Sequence, residues 1–348
     1  TLVGIGVFLV IATSAYQAYV SLFALINQNQ YKILALNLAN EQFEIIRNLT
    51  YSDVDIVSGI PNGKVPNVQN LIRNGVEFLV TTTIRNIDLP FDGTLGGNPN
   101  DLSPADNKLI EIEVACPKCV SFQPIQLNTT VAPKNLETAS TNGALFIKVF
   151  DANGVVVSGA NIHVENNKIN PPIIIDDITN NDGILQIVDA PPGIEAYEIT
   201  VTKAGYTTDR TYTNGEVGNP NPLKPDATVV IQSVTQISFS IDKKSAISFK
   251  SVTSICSVVP NINFNLTGSK LIGDNIHKYS QNLITNSSGQ YTNNNMEWDI
   301  YNVISNDAVY DIVGINPLNP IGLNPDSTQS IDLIVSNKEP KSLLVTVK

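Results

Sequence analysis

The chain has 348 residues and a formal net charge of −11, from 32 acidic and 21 basic side chains. This acidic balance, without a basic stripe or an arginine cluster, argues against a nucleic-acid partner. Charged residues make up 15% of the chain, so asparagine, threonine, serine and glutamine supply much of the polar surface, as suits an exposed β-rich protein. A chain of this length has room for two or three globular units beyond a single long helix.

The first segment of the chain is apolar, and no charged side chain precedes Lys32. As a helix, residues 1–26 would span roughly 39 Å, against about 30 Å for the hydrocarbon core of a bilayer. Residues 32–49 continue at helical spacing without Gly or Pro, so we predict one rod of about 50 residues. We assign residues 1–53 to this helix, as a membrane span or a filament core.

A signal peptide and a single-pass anchor are the ordinary interpretations of such a segment. The run lacks the basic start of a signal peptide and exceeds the length of its apolar core. A single-pass anchor is harder to dismiss, although the flanking Lys or Arg residues and the flexible linker that usually accompany one are missing. Because the chain begins on the apolar segment itself, we expect that residues preceding it have been removed.

The second half of the helix is amphipathic. Apolar residues recur there at three- and four-residue spacing, and polar residues fall elsewhere, so one face is expected to dock on a folded head. The predicted docking residues are Leu36, Ala39, Phe43 and Ile46, and the predicted polar residues are Lys32, Asn37, Glu41, Glu44 and Arg47.

The first half of the helix is apolar on every side, with small residues such as Gly6 and Ala12 interspersed. Small residues let helices approach one another closely. Outside a membrane, such a surface has to be covered by copies of itself, because apolar surface is disfavoured in water. The predicted assembly surface comprises Leu2, Val3, Gly4, Ile5, Val7, Phe8, Leu9, Ile11, Tyr16, Val20, Phe23 and Ile26.

Thr1-Leu2-Val3, the apolar helix and residues 35–42 resemble the N-terminal region of type IV pilins. The resemblance implies a precursor inserted in the cytoplasmic membrane, cut by a prepilin peptidase and assembled by the type IV pilus machinery. The product is a helical filament of copies of the chain on the cell surface. Gly4 stands where the family has a Glu that pairs with a neighbour's N-terminal amine, which puts that contact in doubt and leaves a filament-forming pilin and a tip-associated minor pilin both open.

Residues 54–140 are predicted to form a β head on which the helix packs. A polar loop rich in Gly and Pro separates the first two strand patterns, and the turn at Pro117 and Lys118 joins the last two into an antiparallel hairpin. The predicted strands cover residues 76–87, 108–116 and 120–132.

Residues 141–234 form short alternating strands separated by turn motifs that supply positive φ angles. The motifs are Asp151-Ala152-Asn153-Gly154, Gly159-Ala160, Asp182-Gly183, Pro191-Pro192-Gly193 and Lys203-Ala204-Gly205-Tyr206. They resemble the carboxypeptidase-regulatory-like β-sandwich, a transthyretin- or Ig-like fold. Such a resemblance implies a spacer or stalk and says little about a specific activity.

Residues 235–348 look like a diverged copy of that unit, ending in edge strands at 331–335 and 342–348. An internal repeat of this kind predicts two sandwiches in tandem. The segments 260–270, 286–291 and 298–303 echo 158–165, 180–185 and 197–201. The predicted fold class is therefore α+β: a long N-terminal helix packed on an antiparallel, pilin-like head, followed by two all-β sandwiches of the Ig or transthyretin type.

Residues that could support catalysis are sparse. The chain has no Gly-x-Ser-x-Gly, His-Glu-x-x-His or phosphate-loop motif. Its two histidines, His163 and His277, have no Cys or His at ligand spacing. The sequence therefore predicts neither an enzyme nor a cofactor.

Cys116 and Cys119 bracket the hairpin turn. A redox-active pair would open a helix instead, and a zinc ribbon would need a second pair of cysteines. For an exported protein, a disulfide between Cys116 and Cys119 is the favoured interpretation. Cys256 is then expected to be a buried thiol or, less favoured, to pair with one of them across domains.

The loop before the second predicted head strand is a weak candidate for calcium, because several oxygen ligands fall within one Gly-rich segment. Their spacing matches no regular metal-binding loop, so ordinary turn chemistry is the favoured interpretation. The candidate ligands are Asp92, Asn98, Asn100, Asp101 and Asp106.

Three functional hypotheses follow. The first is a structural subunit of a type IV pilus-like filament, and the second is a minor pilin or pseudopilin at a filament tip. The third is a membrane-anchored adhesin or binding module. It predicts an exposed aromatic cluster, and the candidates are Tyr291, Trp298, Tyr301 and Tyr310, for which packing inside the sandwich is the favoured interpretation.

Overall fold

The computed structural model describes residues 2–60, 62–120, 122–133 and 140–339. Thr1 and the last predicted strand, at 342–348, lie outside this description. So do the side chains of four residues of the predicted assembly surface, Leu2, Val3, Ile5 and Leu9.

The predicted rod is one uninterrupted helix, α1 (Leu2–Arg47), of 46 residues. At 1.5 Å per residue it is about 69 Å long. No Gly or Pro follows Gly6 within it, which explains why it continues across the change from an apolar to an amphipathic pattern. A 3₁₀ turn, Tyr51–Asp53, leads from the helix into the head.

The head is a four-stranded antiparallel meander in the order β1-β2-β3-β4. The first strand was not predicted; Asn74 and Gly75 take φ angles of 50° and 76° and form the tight turn that joins it to the second. The last strand starts five residues later than predicted. The four strands are β1 (Val68–Arg73), β2 (Val76–Ile87), β3 (Asn107–Ala115) and β4 (Ile125–Val131).

A buried ion pair fixes the chain where it leaves the helix. Lys108 on β3 lies 3.5 Å from Asp55, and both side chains are almost fully buried. The Lys108 ammonium also donates to the carbonyls of Tyr51 and Val54, at 3.1 and 2.8 Å. Burial raises the pKa of Asp55 and lowers that of Lys108, while their attraction opposes both shifts. Removing either partner would leave an uncompensated buried charge, so the pair determines how this segment lies on the sheet.

The second unit has two sheets, β10-β9-β6-β7 with β11 added to β9, and β12-β5-β8. Residues of both sheets, including Ile147, Val164 and Tyr197, share one buried core, so the unit is a β-sandwich. Its strands are β5 (Gly143–Phe150), β6 (Asn161–Asn166), β7 (Ile173–Ile178), β8 (Ile184–Ala190), β9 (Gly193–Thr202), β10 (Asp209–Arg210), β11 (Ala227–Val229) and β12 (Val234–Ser240).

The predicted boundary at 234/235 requires a correction. Strand β12 starts at Val234 and pairs in parallel with β5 through Ser240. Its Phe239 is buried in the core of the second unit. The second unit therefore continues past residue 240, because its first strand needs this last strand as a partner.

The third unit repeats the plan with the sheets β18-β13-β22-β20 and β17-β14-β19-β21, and a small hairpin of β15 and β16. Its strands are β13 (Ser245–Val252), β14 (Asn263–Gly268), β15 (Leu271–Gly273), β16 (Ile276–His277), β17 (Ser280–Ile284), β18 (Gln290–Met296), β19 (Asp299–Ser305), β20 (Tyr310–Asn316), β21 (Ile321–Leu323) and β22 (Thr328–Asn337).

The internal repeat extends to individual hydrogen bonds. The amide oxygen of Asn180 accepts from the backbone N–H groups of Asp182 and Ile184, each at 3.0 Å. Asn286 accepts in the same way from residues two and four positions later, at 2.9 and 3.0 Å. Each Asn lies in the turn that precedes β8 or β18, the strand that pairs with the first strand of its unit.

The α+β class, with one N-terminal helix and several antiparallel sheets, is confirmed.

Neighbouring units contact one another directly. Ile174 of the second unit donates its backbone N–H to Ser58 of the head at 2.7 Å. Arg85 of the head pairs with Asp177 of the second unit at 3.5 Å. Between the second and third units, the Lys278 ammonium donates to the carbonyl of Thr208 at 3.0 Å.

A pH prediction concerns Asp307 in the third unit. Burial would raise the pKa of its carboxylate, but hydrogen bonds from Asn263, Val309 and Tyr310 outweigh burial and lower the pKa to about 2. Because the unfolded chain takes up this proton nearer pH 3.8, the stabilisation is complete above about pH 4 and is lost as the pH falls towards 2, by roughly 2 kcal/mol.

We expect Asp307→Asn to flatten this acid dependence and to destabilise the third unit at neutral pH. Trp298, the single tryptophan of the chain, allows the unfolding of this unit to be followed by its fluorescence in urea. The exposed Asp332 on β22 provides the control, Asp332→Asn, which should keep the wild-type profile. Parallel pH profiles for Asp307→Asn and the wild type would contradict the assignment.

Candidate functional site

The N-terminal part of α1 exposes an apolar surface. Phe8 is 69% exposed, Ile11 63% and Tyr16 69%. The other described side chains of the predicted assembly surface are exposed too: Val7, Val20, Phe23 and Ile26. A contiguous exposed apolar surface of this kind marks a site of interaction with protein or membrane.

Two serine hydroxyls of this segment are hydrogen-bonded within the helix. The hydroxyls of Ser14 and Ser21 donate to the carbonyls of Val10 and Gln17 within the same helix, both at 2.8 Å. The helix is also long and apolar enough to cross a membrane. Both a lipid environment and a bundle of identical helices are therefore chemically acceptable to it.

The C-terminal part of α1 docks on the head through a narrow buried face. Ala35 and Ala39 are fully buried and small, which lets the helix lie close to β3 and β4. Phe43 fills the space further along. Leu36 was predicted to belong to this face but is exposed, because the buried stripe runs along the neighbouring helical positions. The buried helix residues are Ala35, Leu38, Ala39, Gln42, Phe43 and Ile46.

An ion pair and a hydrogen bond border the docked face. Glu41 accepts from Arg73 of β1 at 2.6 Å, and Arg47 donates to the Thr129 hydroxyl of β4 at 2.8 Å. The predicted polar residues of the helix all lie on its exposed side. These contacts contribute little to the stability of the docked helix, since exposed ion pairs are weak.

The side of α1 that faces away from the head is also partly apolar. Ile33 is 58% exposed and Leu36 39%, whereas the exposed Ile45 lies on a different side of the helix, about 120° from Ile33. At 3.6 residues per turn, Ile33 falls on the same side of the helix as Leu22 and Ile26, which are exposed as well. An isolated exposed apolar side chain therefore continues this side at Ile33, and polar residues occupy it further along.

A disulfide lies where the helix leaves the head. The structure pairs Cys116 with Cys119, whose Cα atoms are 5.3 Å apart. The turn that it closes lines the same surface hollow as Leu25 and Tyr31 of the helix. The sulfur-linked turn therefore lies beside the helix at the boundary between its free and docked parts.

The structure brings three of the five candidate calcium ligands together. Carboxylate oxygens of Asp92, Asp101 and Asp106 lie within 4.8 Å of one another. Asn100 is engaged elsewhere, because its amide oxygen accepts the backbone N–H of Gly96 at 2.6 Å. The fourth carboxylate of this loop, Asp88, was not predicted. Burial raises its pKa, and the charges of the three neighbouring aspartates raise it further.

The predicted aromatic cluster of the third unit is packed. Tyr301 is 1% exposed and donates its hydroxyl to the Glu297 carbonyl at 2.8 Å. The Tyr291 and Phe249 rings are tilted against each other with their centroids 6.4 Å apart, and the Lys270 ammonium covers the Trp298 ring. An exposed aromatic binding face is therefore not found among these residues.

Cys256 was expected to be buried or paired, but it is a free, exposed thiol. It lies in the turn between β13 and β14, with φ 62°.

The two histidines are placed apart. His163 lies 2.7 Å from a carboxylate oxygen of Asp176, and His277 lies 2.6 Å from the Gly268 carbonyl.

Comparison with known proteins gives weak similarities. No protein-family model matches the chain, and no curated protein matches it. Solved structures that match include the TIE protein of Bacillus anthracis, with 12% identity, coverage of 79% of this chain and 57% of that one, and a TM-score of 0.23. The chain thus spans less than two thirds of that protein.

Two further matches are named as pilins. One is the minor pilin of the Gram-positive pathogen Streptococcus agalactiae, with 13% identity, coverage of 59% and 100%, and a TM-score of 0.27. The other is the shaft pilin SpaA of Lactobacillus rhamnosus GG, with 12% identity, coverage of 58% and 100%, and a TM-score of 0.20. These TM-scores are below 0.5, so they do not establish a common fold.

A substitution of Phe43 tests whether the helix docks on the head through its buried face. We expect Phe43→Ala to destabilise the docked helix by about 3–5 kcal/mol, because it removes a buried aromatic ring and leaves a cavity. Ile45→Ala, on the exposed side of the same turn, should change stability by less than about 1 kcal/mol. Amide hydrogen exchange over residues 35–46 of the full chain in detergent measures both. Equal protection in the two variants would contradict the docking described above.

Proposed function

We propose that the chain is a structural subunit of an extracellular filament, built in the manner of type IV pilins. The observation that carries this proposal is α1: one continuous helix whose N-terminal part is apolar and exposed, and whose C-terminal part docks on the head. Copies of α1 would bundle into the core of the filament, and the β units would lie outside it.

The length of the apolar surface favours a filament over a simple anchor. A bilayer needs about 20 apolar residues, or about 30 Å of helix. Ile33 and Leu36 are exposed on α1, beyond what one bilayer would cover if it enclosed the first 26 residues. In a monomeric anchor these side chains would remain in water, whereas neighbouring helices in a bundle would bury them.

Before assembly, the proposed precursor is inserted in a membrane. The same apolar segment would hold the precursor in the cytoplasmic membrane, from which type IV pilus machinery would extract it after cleavage by a prepilin peptidase. The two sandwiches, of the Ig or transthyretin type, would serve as rigid spacers on the filament surface. These steps rest on the resemblance of the N-terminal segment to type IV pilins.

Gly4 favours a second candidate, a minor pilin at the filament tip. It lies in the exposed first turns of the helix, and an added Cβ would meet nothing within 4 Å. It supplies no acidic group for the amine of a neighbouring subunit. A subunit at a tip has fewer neighbours to satisfy, so the missing carboxylate matters less there than in the shaft.

Electron microscopy of material sheared from producing cells, with helical reconstruction, tests the proposal. Density for this chain in every repeat is the expected result for a shaft subunit. Filaments that contain it at one end would support the minor-pilin role. Recovery with membranes alone, without filaments, would overturn the filament proposal in favour of a membrane-anchored binding module.

A substitution of Ile33 distinguishes a filament subunit from a membrane anchor. We expect Ile33→Glu to reduce the filament yield at least tenfold, because a carboxylate would be buried between helices at a cost of several kcal/mol. The membrane level of the precursor should not change, since Ile33 lies outside the first 26 residues. Ile33→Leu is the matched control and should assemble normally. Unchanged filament yield for Ile33→Glu would contradict burial of this side in the bundle.

A further inference from the structure

The loop between β2 and β3 carries a group of carboxylates that the proposed function does not use. The loop is shaped by its own hydrogen bonds: Asp88 accepts from the backbone of Leu95 at 2.9 Å, and Asp101 donates its backbone N–H to the Thr94 carbonyl at 3.1 Å. This folding brings Asp92, Asp101 and Asp106 together from three separate places in the loop.

Asp101 is the residue that points to a ligand. It is 8% exposed. One of its carboxylate oxygens accepts the backbone N–H of Ser103 at 2.7 Å. The other is buried and has no hydrogen-bond partner among the described residues. A buried carboxylate oxygen without a partner is expensive, since the charge has lost its hydration.

The described protein groups do not supply the missing positive charge. Within residues 2–60, 62–120, 122–133 and 140–339, no Lys, Arg or His lies within ion-pair distance of Asp92 or Asp101. Like charges this close repel one another. A bound cation would remove both the repulsion and the unpaired oxygen.

We propose that Asp92, Asp101 and Asp106 bind one calcium ion. The ligands are oxygens, which hard divalent cations prefer. Calcium bonds to oxygen are about 2.4 Å long, so one ion reaches carboxylate oxygens up to about 4.8 Å apart. Magnesium demands shorter bonds and near-ideal octahedral geometry, which an irregular surface loop is poorly suited to provide.

The site would act on the junction between the head and the second unit. Leu102, next to Asp101, accepts the backbone N–H of Ser140 at 2.8 Å. The hydroxyl of Ser140 in turn donates to Asp189 at the end of β8. By fixing the loop at Asp101, a calcium ion would also fix this contact between the head and the start of the second unit.

Calcium titration of the full chain in detergent, after removal of divalent ions with EDTA, tests this proposal. We expect the thermal unfolding temperature to rise with calcium chloride between about 0.1 and 1 mM, the range of extracellular calcium modules. Asp101→Asn keeps the shape of the side chain and should shift the midpoint at least tenfold upward. The exposed turn residue Asp182 provides the control, Asp182→Asn, which should respond like the wild type.

Measurements in EDTA distinguish a loss of calcium binding from misfolding of the variant. Without calcium, Asp101→Asn should unfold at the same or a higher temperature than the wild type, because the substitution removes a repelling charge. The absence of any calcium response up to 10 mM would overturn the proposal, as would an unchanged response in Asp101→Asn or a midpoint for magnesium below that for calcium. None of these results depends on filament formation.

Discussion

The whole arrangement depends on the long apolar surface of α1, which water does not tolerate. The helix exposes apolar side chains from Val7 as far as Leu36, over a length that exceeds the thickness of a bilayer. Membrane insertion can satisfy the N-terminal part, whereas association with other helices can satisfy all of it. The remaining features of the chain position this surface, keep it straight, or carry β units clear of it.

The head holds the helix by several different means, and each acts at a different place. Ala35 and Ala39 allow close contact with the sheet, and the Cys116–Cys119 turn lies beside the helix where it becomes free. The buried pair of Lys108 and Asp55 fixes the chain beyond the helix end. The direction of the free part relative to the head is therefore determined by packing along several turns, as a subunit of a regular assembly requires.

Sequence patterns predicted elements whose cause is local. The rod followed from the absence of Gly and Pro after Gly6, and β2 from a run rich in Val, Ile and Thr. The first head strand was missed although its Asn74–Gly75 turn is a recognised hairpin signal. Leu36 was wrongly assigned to the docking face because neighbouring positions on the helix are similarly apolar. Only contact with the head determines which of them are buried. The grouping of Asp92 with Asp106 depends on the fold of a long loop, which spacing along the chain does not reveal.

The pairing of first and last strands in the two sandwiches has a mechanical consequence. Strand β5 runs parallel to β12, and β13 runs parallel to β22, with seven paired positions in each case. A tension applied between the two ends of either unit pulls these neighbours in opposite directions along their length. Their ladder of hydrogen bonds is then sheared as a whole instead of opening one bond at a time, a geometry that resists extension.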